Sequence, residues 1–418
     1  MHSIAAVWGI AGLATAGVIV RPWRVPEFVW AVAGAALLVL AGLLSPANAL
    51  AGVAKGTDVY LFLIGMMVLA ELARKEGLFD WLAGHAAARA RGSAKRLFAL
   101  IYLVGTMVTV FLSNDATAVV LTPAVAAVAR AARAGEPLPF LLICAFIANA
   151  ASFVLPISNP ANLVIYGSHM PPLLEWLPRF ALPSLLSIGA TFVVLRLTQR
   201  RALLQTLAEQ VDVPPLSTGG RVAAMGIVAA ATALMVASAL DWQLGLPTCI
   251  AGLTTASVVL VLARQSPWPV MRGVSWGVLP LVAGLFVLVE ALNRTGLIQD
   301  GVNVLSRLVA WSQVDAAWIA GALVAVACNL MNNLPAGLIA GTIVQAAQAP
   351  SLPVSAILIG IDLGPNLSVT GSLATILWLS ALRREGMHIG AWTFLKLGAV
   401  VMPPALLLAL AGLMVWPA

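Results

Sequence analysis

Four short runs in this chain place amides, hydroxyls and acids inside otherwise apolar surroundings. They are Ser113-Asn114-Asp115, Ser158-Asn159-Pro160 with Asn162, Asn332-Asn333 followed by Pro335, and Gly364-Pro365-Asn366 leading to Thr370-Gly371-Ser372. Such residues break and cap helices, and their amides and hydroxyls can both donate to and accept from a polar solute. None of the four runs contains a basic residue. Two acids stand beside breaks, Asp115 and Asp362. A carboxyl in an apolar setting is expensive unless it is protonated or paired, and a group poised between those states is what a proton carrier requires. The same acids also suit a structural part, held by the amides of helix N-termini. Cys328, one turn before Asn332, offers a sulfur that could ligate a soft metalloid, whereas a lone cysteine in an apolar run more often only packs.

The elements that must position these residues are membrane helices. Of 418 residues 61% are hydrophobic and only 9% charged, and the mean hydropathy is +0.99. Soluble proteins carry about 25% charged residues, so lipid must be the main solvent here. Residues 28–44, 222–240 and 276–289 are long and nearly charge-free. The first apolar stretch, Ile4 to Val20, lacks a basic leader and a small-residue cleavage site and is expected to be a retained span. Thirteen tryptophans, among them Trp23, Trp176, Trp242 and Trp416, fit interfacial belts at the ends of apolar runs. The net charge of +7 does not point to nucleic acid, because the basic residues are scattered through short loops. Cys144, Cys249 and Cys328 form no CxxC or Cys/His pattern, so neither a disulfide framework nor a metal site is expected, and no cofactor.

Self-comparison divides the chain in two. GMMVLAELARKEGL (65–78) matches GLFVLVEALNRTGL (284–297), pairing Gly65 with Gly284, Glu71 with Glu290 and Gly77 with Gly296. At the same offset FLSNDATA (111–118) lies over LMNNLPAG (330–337), pairing Asn114 with Asn333. A few residues out of register, 155–167 corresponds to 367–379. The expected division is a first repeat over 1–198, a polar cytoplasmic linker over 199–220, and a second repeat over 221–418. Each repeat carries a re-entrant hairpin (about 97–130 and 316–348) and a broken helix (138–170 and 353–382), beside about ten transmembrane helices in all. Glu71 and Glu290 are repeat partners near span ends and read as structural; Asp115 and Asp362 have no acidic partner in the other repeat.

Charge placement orients the repeats. With both termini outside, all of the 23 Lys and Arg except Lys55, Arg179, Arg294 and Arg307 fall on the cytoplasmic side. The two repeats then have opposite topology, a plan found in many secondary transporters, whose sites lie between broken helices at the repeat interface.

SNDATAVVLTPAV, SNPAN, CNLMNNLPAGLIAG and especially IDLGPNLSVTGSLATILWLSALRREG resemble the arsenite permeases (Ars B type) of the ion-transporter superfamily, over about residues 55 to 400. The resemblance implies a scaffold and a transport domain, elevator-like movement, a homodimer, and export of arsenite and antimonite across the inner membrane by proton antiport, with a separate soluble ATPase subunit in some members. Carried onto this chain, the substrate-facing residues are Asn114, Asp115, Asn159, Asn162, Asn332, Asn333, Asn366, Thr370 and Ser372, and the proton-coupling acids Asp115 and Asp362. The chain departs from that pattern at Asn149-Ala150, where many members carry an acid, and at SNPAN, which is closer to the wider superfamily. A dicarboxylate or other organic-anion carrier on the same scaffold remains an alternative, as does a channel. A membrane-embedded enzyme is less favoured, since no HExxH, paired-acid or Cys/His motif is present.

Overall fold

The computed structural model describes residues 2–167, 170–213 and 215–415. Met1, Ser168 and His169 at the end of the expected broken helix, Pro214 in the linker, and the expected anchor Trp416 with Pro417 and Ala418 lie outside the described residues. Helices dominate throughout. The first half runs α1 (His2–Val20), α2 (Glu27–Leu40), α3 (Pro46–Lys55), α4 (Thr57–Lys75), α5 (Leu78–Ala90), α6 (Ala94–Phe111), α7 (Asn114–Ala116), α8 (Thr122–Ala131), α9 (Leu138–Ala150), α10 (Pro160–Tyr166) and α11 (Leu173–Thr198). The second runs α12 (Thr218–Ala239), α13 (Gly245–Leu262), α14 (Trp268–Gly273), α15 (Val278–Asn293), α16 (Leu297–Trp311), α17 (Gln313–Met331), α18 (Asn333–Ala346), α19 (Ser351–Leu363), α20 (Leu373–Arg384) and α21 (Ala391–Val415). A π-helical turn, Thr117–Leu121, joins α7 to α8.

Among the described residues six helices are each long and apolar enough to cross a bilayer: α6, α11, α12, α13, α17 and α21. The count becomes eight if the bent pairs α3–α4 (49°) and α15–α16 (76°) are single spans. α6 and α17, expected to be hairpin arms, belong to this set by length and composition. Helices α3, α5, α14 and α16 fall between the expected spans. A search for long apolar runs passes over them because they are short or mix polar with apolar residues. α16, for instance, buries Ile298 and Leu305 while carrying Gln299, Asp300, Asn303 and Arg307. Gly77 and Gly296, matched in the self-comparison, occupy the same place in the fold. Both are left-handed N-caps, of α5 and α16, at φ of 75° and 93°.

The order and lengths of α4 to α6 recur in α15 to α17, but the direction does not. Asp58, at the start of α4, accepts the Gly245 amide at 2.7 Å, and Lys55 just before it pairs with Glu290 at 2.7 Å near the end of α15. At the other end of α4, Glu71 packs on Gly273 and Lys75 reaches Gln265, both of which precede α15. α4 and α15 therefore cross the bundle in opposite senses.

Each of these helices is seated on a partner through backbone contact. A Cβ at Gly65 of α4 would lie 2.2 Å from the Thr248 carbonyl oxygen of α13, and one at Gly252 would lie 2.5 Å from the Gly65 oxygen. Gly284 of α15 meets Ala31 of α2 in the same manner, with a Cβ placed 2.7 Å from its carbonyl carbon. Small residues permit such approach in lipid, where helix association rests on close packing rather than on exclusion of water. Val68 and Leu72 of α4 close a second core with Ala223, Ala256, Val259, Val270 and Val274 of α12 to α14 and the turn after it. The remaining elements, α6 to α11 and α17 to α21, pack on one another through the α6–α9, α17–α19, α10–α18 and α11–α21 pairs.

Gly65→Ala forces α4 and α13 apart and should destabilise the protein by about 1–3 kcal/mol, the usual cost of overpacking. Gly9→Ala, whose Cβ meets nothing within 4 Å, should not. Thermal unfolding in detergent compares the two, and equal midpoints would refute this account of the crossing.

Candidate functional site

Broken backbone inside lipid must be satisfied by protein groups, and at each break it is. Ser113 caps the first break, accepting the Ala116 amide at 3.2 Å, and Asn114 accepts the Asp115 amide at 2.9 Å. Across the break Thr109 and Thr117 join their hydroxyls at 2.8 Å, so the two arms lie side by side. The π turn that follows leaves the regular ladder, as such turns often do at functional sites. At the second break Asn159 accepts the Ala161 amide at 3.0 Å, while its Nδ2 donates to Asp362 Oδ1 at 2.7 Å. Ser158 Oγ donates to the Val110 carbonyl at 3.1 Å, tying this break to the first.

The third break turns on Asn332. Its φ of 77° and ψ of 153° place it in a region nearly reserved for glycine. It holds there because its own amide donates to the Cys328 carbonyl at 2.8 Å and its side chain accepts the Leu334 amide at 3.3 Å. The next amide, Asn333 N, donates to the Gly371 carbonyl at 2.8 Å, joining the third break to the fourth. At the fourth, Ser372 caps α20 by accepting the Thr375 amide at 3.1 Å.

These breaks meet in one place. Asn114, Asp115, Asn159, Asn333 and the first residues of α20, Leu373 and Ala374, line a small cavity closed on its other side by Leu63 of α4 and Val278 of α15. A larger cleft of about 610 Å3 shares Leu63, Asp115, Pro160 and Val278 with it. This cleft runs between α4 and the first hairpin segment to Glu71, Gly273 and Ser275. Among the described residues the charged ones lining either space are Asp115 and Glu71, and Glu71 is held by Arg74 at 2.5 and 2.7 Å.

Four of the expected site residues, Asn114, Asp115, Asn159 and Asn333, are thus brought together, and Ser372 caps the helix whose first residues complete the wall. The others sit behind them. Asn162 is fully buried and spends its Nδ2 on the Ser152, Leu155 and Pro156 carbonyls. Asn366 donates to the Phe146 carbonyl at 3.0 Å and accepts Asn149 Nδ2 at 3.0 Å. Asn332 and Thr370 hold the tip of the second hairpin segment, with Thr370 Oγ1 donating to the Asn329 carbonyl at 2.8 Å. Asp362 is wholly buried, one oxygen on Asn159 and the other without a partner among the described residues. Cys328 lies at the α17–α19 crossing, its Sγ 3.2 Å from the Ala325 carbonyl and pressed on Gly364, and it lines neither space.

Three supporting residues were not among those expected. Asn329 donates to the Gly364 carbonyl at 3.0 Å and accepts Ser368 Oγ at 2.7 Å, binding the third break to the fourth. Asn149, with Thr375 at 3.5 Å, binds α9 to α20. The signal for Asn329 was its place one turn before Asn333, in the same polar run.

The strain at Asn332 separates two substitutions. Asn332→Ala loses the cap, about 1 kcal/mol, and keeps the unfavourable backbone. Asn332→Gly loses the cap and relieves strain of order 1–3 kcal/mol. The glycine variant should therefore unfold at the higher temperature of the two, read by thermal denaturation in detergent; the reverse order would contradict the assigned conformation.

Comparison with known proteins agrees with this architecture. Residues 15–364 match the family described as citrate transporter. The chain is 30% identical over 371 residues to the arsenical pump membrane protein of Escherichia coli (strain K12), covering 84% of each chain. It is 26% identical to an uncharacterized transporter of Mycobacterium tuberculosis, covering 86% of this chain and 85% of that one. Among solved structures it is similar to the Alcanivorax borkumensis YdaH transporter, with a TM-score of 0.60 at 17% identity over 100% of this chain and 98% of that one, a likeness of fold. The chain, whose broken helices converge on one polar site, belongs to the citrate transporter family and is a membrane transporter related to the arsenical pump membrane proteins.

Proposed function

We propose that this chain exports trivalent arsenic, as arsenite, and antimonite across the cytoplasmic membrane in exchange for protons. The observation that carries the reading is the composition of the site. Amides, a capped helix end and one acid converge from both halves, and among the described residues no Lys or Arg lines either space. Arsenious acid is an uncharged trihydroxide near neutral pH. Its hydroxyls can donate to and accept from Asn side chains and need no cation. A multiply charged anion would find two acids, Asp115 and Glu71, and no balancing Lys or Arg among the described lining residues. The arsenical pump relatives support the same cargo.

Substrate contacts are assigned to Asn114, Asp115, Asn159 and Asn333 in front, with Asn162, Asn332, Asn366, Thr370 and Ser372 fixing the breaks behind them. In the coupling step, Asp115 or Asp362 loses its proton as substrate binds and regains it when the site faces outside. The proposed division is a first repeat over 1–198, a cytoplasmic linker over 199–220 and an inverted second repeat over 221–418, supported by the opposed directions of α4 and α15. The hairpins about 97–130 and 316–348 move with the broken helices against a scaffold wall of α4 and α15, in an elevator-like step. That movement is supported by the cleft that separates α4 from the first hairpin segment. Both termini are placed outside, on the charge bias. A homodimer and a soluble ATPase partner are carried by family resemblance alone.

One observation favours a second reading, an organic-anion carrier. The N-terminal ends of α18 and α20 border the cavity, and helix N-termini attract anionic oxygen; the family description names citrate. Growth distinguishes the two. A strain lacking its own arsenite exporter should gain arsenite and antimonite tolerance when it expresses this chain. Confirmed membrane insertion without tolerance, together with citrate uptake, would establish the carrier reading instead. In everted vesicles, Asp115→Asn and Asp362→Asn are tested separately for arsenite uptake driven by a pH gradient. At least one should fall to the level of empty vesicles, and full transport by both would defeat the coupling scheme.

A further inference from the structure

A groove lined by four cations lies away from the transport site. It is bounded by Lys95 in the first turn of α6, by Arg196 in the last turn of α11, and by Arg200 and Arg201 in the loop that follows. Its floor and rim are apolar: Phe192, Val193 and Leu197 from α11, then Leu203 and Leu204. Val193, Leu197 and Leu204 are 52%, 59% and 69% exposed, on the flank that lipid would cover. No carboxylate among the described residues pairs with any of the four cations, which holds for most Lys and Arg of the chain; what sets these four apart is that they line one groove. Arg196 is additionally steadied over the Phe192 ring at 5.8 Å.

The backbone around the groove is tied down. Leu207 N donates to the Gly92 carbonyl at 2.9 Å, Ala208 N to the Ala132 carbonyl at 2.8 Å, and Gln205 exchanges two hydrogen bonds with Glu136. The loop carrying Arg200 and Arg201 is therefore clamped against both the α5–α6 and α8–α9 turns. In the second half neither the first turn of α17 nor the last turn of α21 carries a basic residue. A general bias of loop charge asks only that cations lie on one side. It does not ask that four unpaired ones surround a single groove with an apolar flank.

We propose that this groove binds the phosphate headgroup of an anionic phospholipid of the cytoplasmic leaflet. The guanidinium groups of Arg196, Arg200 and Arg201 take the phosphate oxygens by charge-assisted hydrogen bonds. The acyl chains lie along Val193 and Leu197, and the stems of the cations cover the headgroup edge. Such a lipid bridges α6 to α11, two helices of the body that carries the breaks, and so couples that body to the charge of its leaflet.

The test uses the full chain purified in detergent, with thermal unfolding and native mass spectrometry as readouts. Phosphatidylglycerol and cardiolipin should raise the unfolding midpoint saturably and remain bound, whereas phosphatidylcholine should do neither. The triple variant Arg196→Gln, Arg200→Gln, Arg201→Gln should lose the shift; the control Arg264→Gln, Arg272→Gln should keep it. Should the triple variant fail to insert, Arg200→Gln with Arg201→Gln, both in the loop, carries the same comparison. An equal response to phosphatidylcholine overturns the proposal, as does a triple variant that responds like the parent or a control that loses the response. A full shift with inorganic phosphate alone would assign the groove to a soluble anion and overturn the lipid.

Discussion

Everything about this site follows from one constraint: a helix that stops inside lipid exposes amides and carbonyls that no water can satisfy. An unpaired backbone group there costs several kcal/mol, so a chain with four interior breaks must supply partners at each. It does so with short polar side chains that reach their own backbone. Ser113, Asn159, Asn332 and Ser372 each accept an amide two or three residues on. The remaining valences are then met by a neighbouring break, as Asn333 with Gly371 and Ser158 with Val110. The breaks therefore stabilise one another, and convergence on one place is a condition of their existing at all. The residues that border the cavity, Asn114, Asp115, Asn159 and Asn333, come from the same polar runs, and Asn114 and Asn159 serve both as acceptors for the backbone and as cavity wall.

The same constraint explains what could be read from the residues and what could not. The breaks themselves were legible, because Asn-Pro and Gly-Pro inside apolar runs have few other meanings. The pairing of Asn114 with Asn333 and of Gly77 with Gly296 was legible from self-similarity, and each pair holds equivalent places in the fold. The facing of individual amides was not. Asn159 and Asn162 lie three residues apart in one motif, yet one borders the cavity and the other is wrapped around three carbonyls. Which does which depends on where the chain enters α10, and that is set by contacts with Val110 and Asp362 far away in sequence. Helices α5 and α16 were missed for a different reason. Their apolar residues share a face instead of forming a run, and a search for lipid-spanning stretches rewards only runs.

The glycine crossings divide the labour between the two sets of helices. Where a glycine meets a carbonyl, as Gly65 meets Thr248, spacing is fixed by main chain and cannot be adjusted by a rotamer. The α4–α13 and α15–α2 pairs are therefore stiff at their centres, and Leu63 and Val278, which project from α4 and α15, form a wall whose position is well determined. The opposing surface is built from caps and short helices, whose integrity rests on hydrogen bonds between breaks. A wall fixed by main-chain contact thus faces a polar surface held together by its own hydrogen bonds.

The two hairpin segments, finally, are not equal in one respect. Both begin on an asparagine at matching positions, but only the first continues through a π turn at Thr117–Leu121, whereas α18 runs as an uninterrupted α-helix from Asn333 to Ala346. A π turn holds one more residue than the α-helical turn it replaces. Residues beyond the turn are therefore rotated about the helix axis relative to those of an unbroken α-helix, so the two segments, alike at their asparagines, present different faces further along.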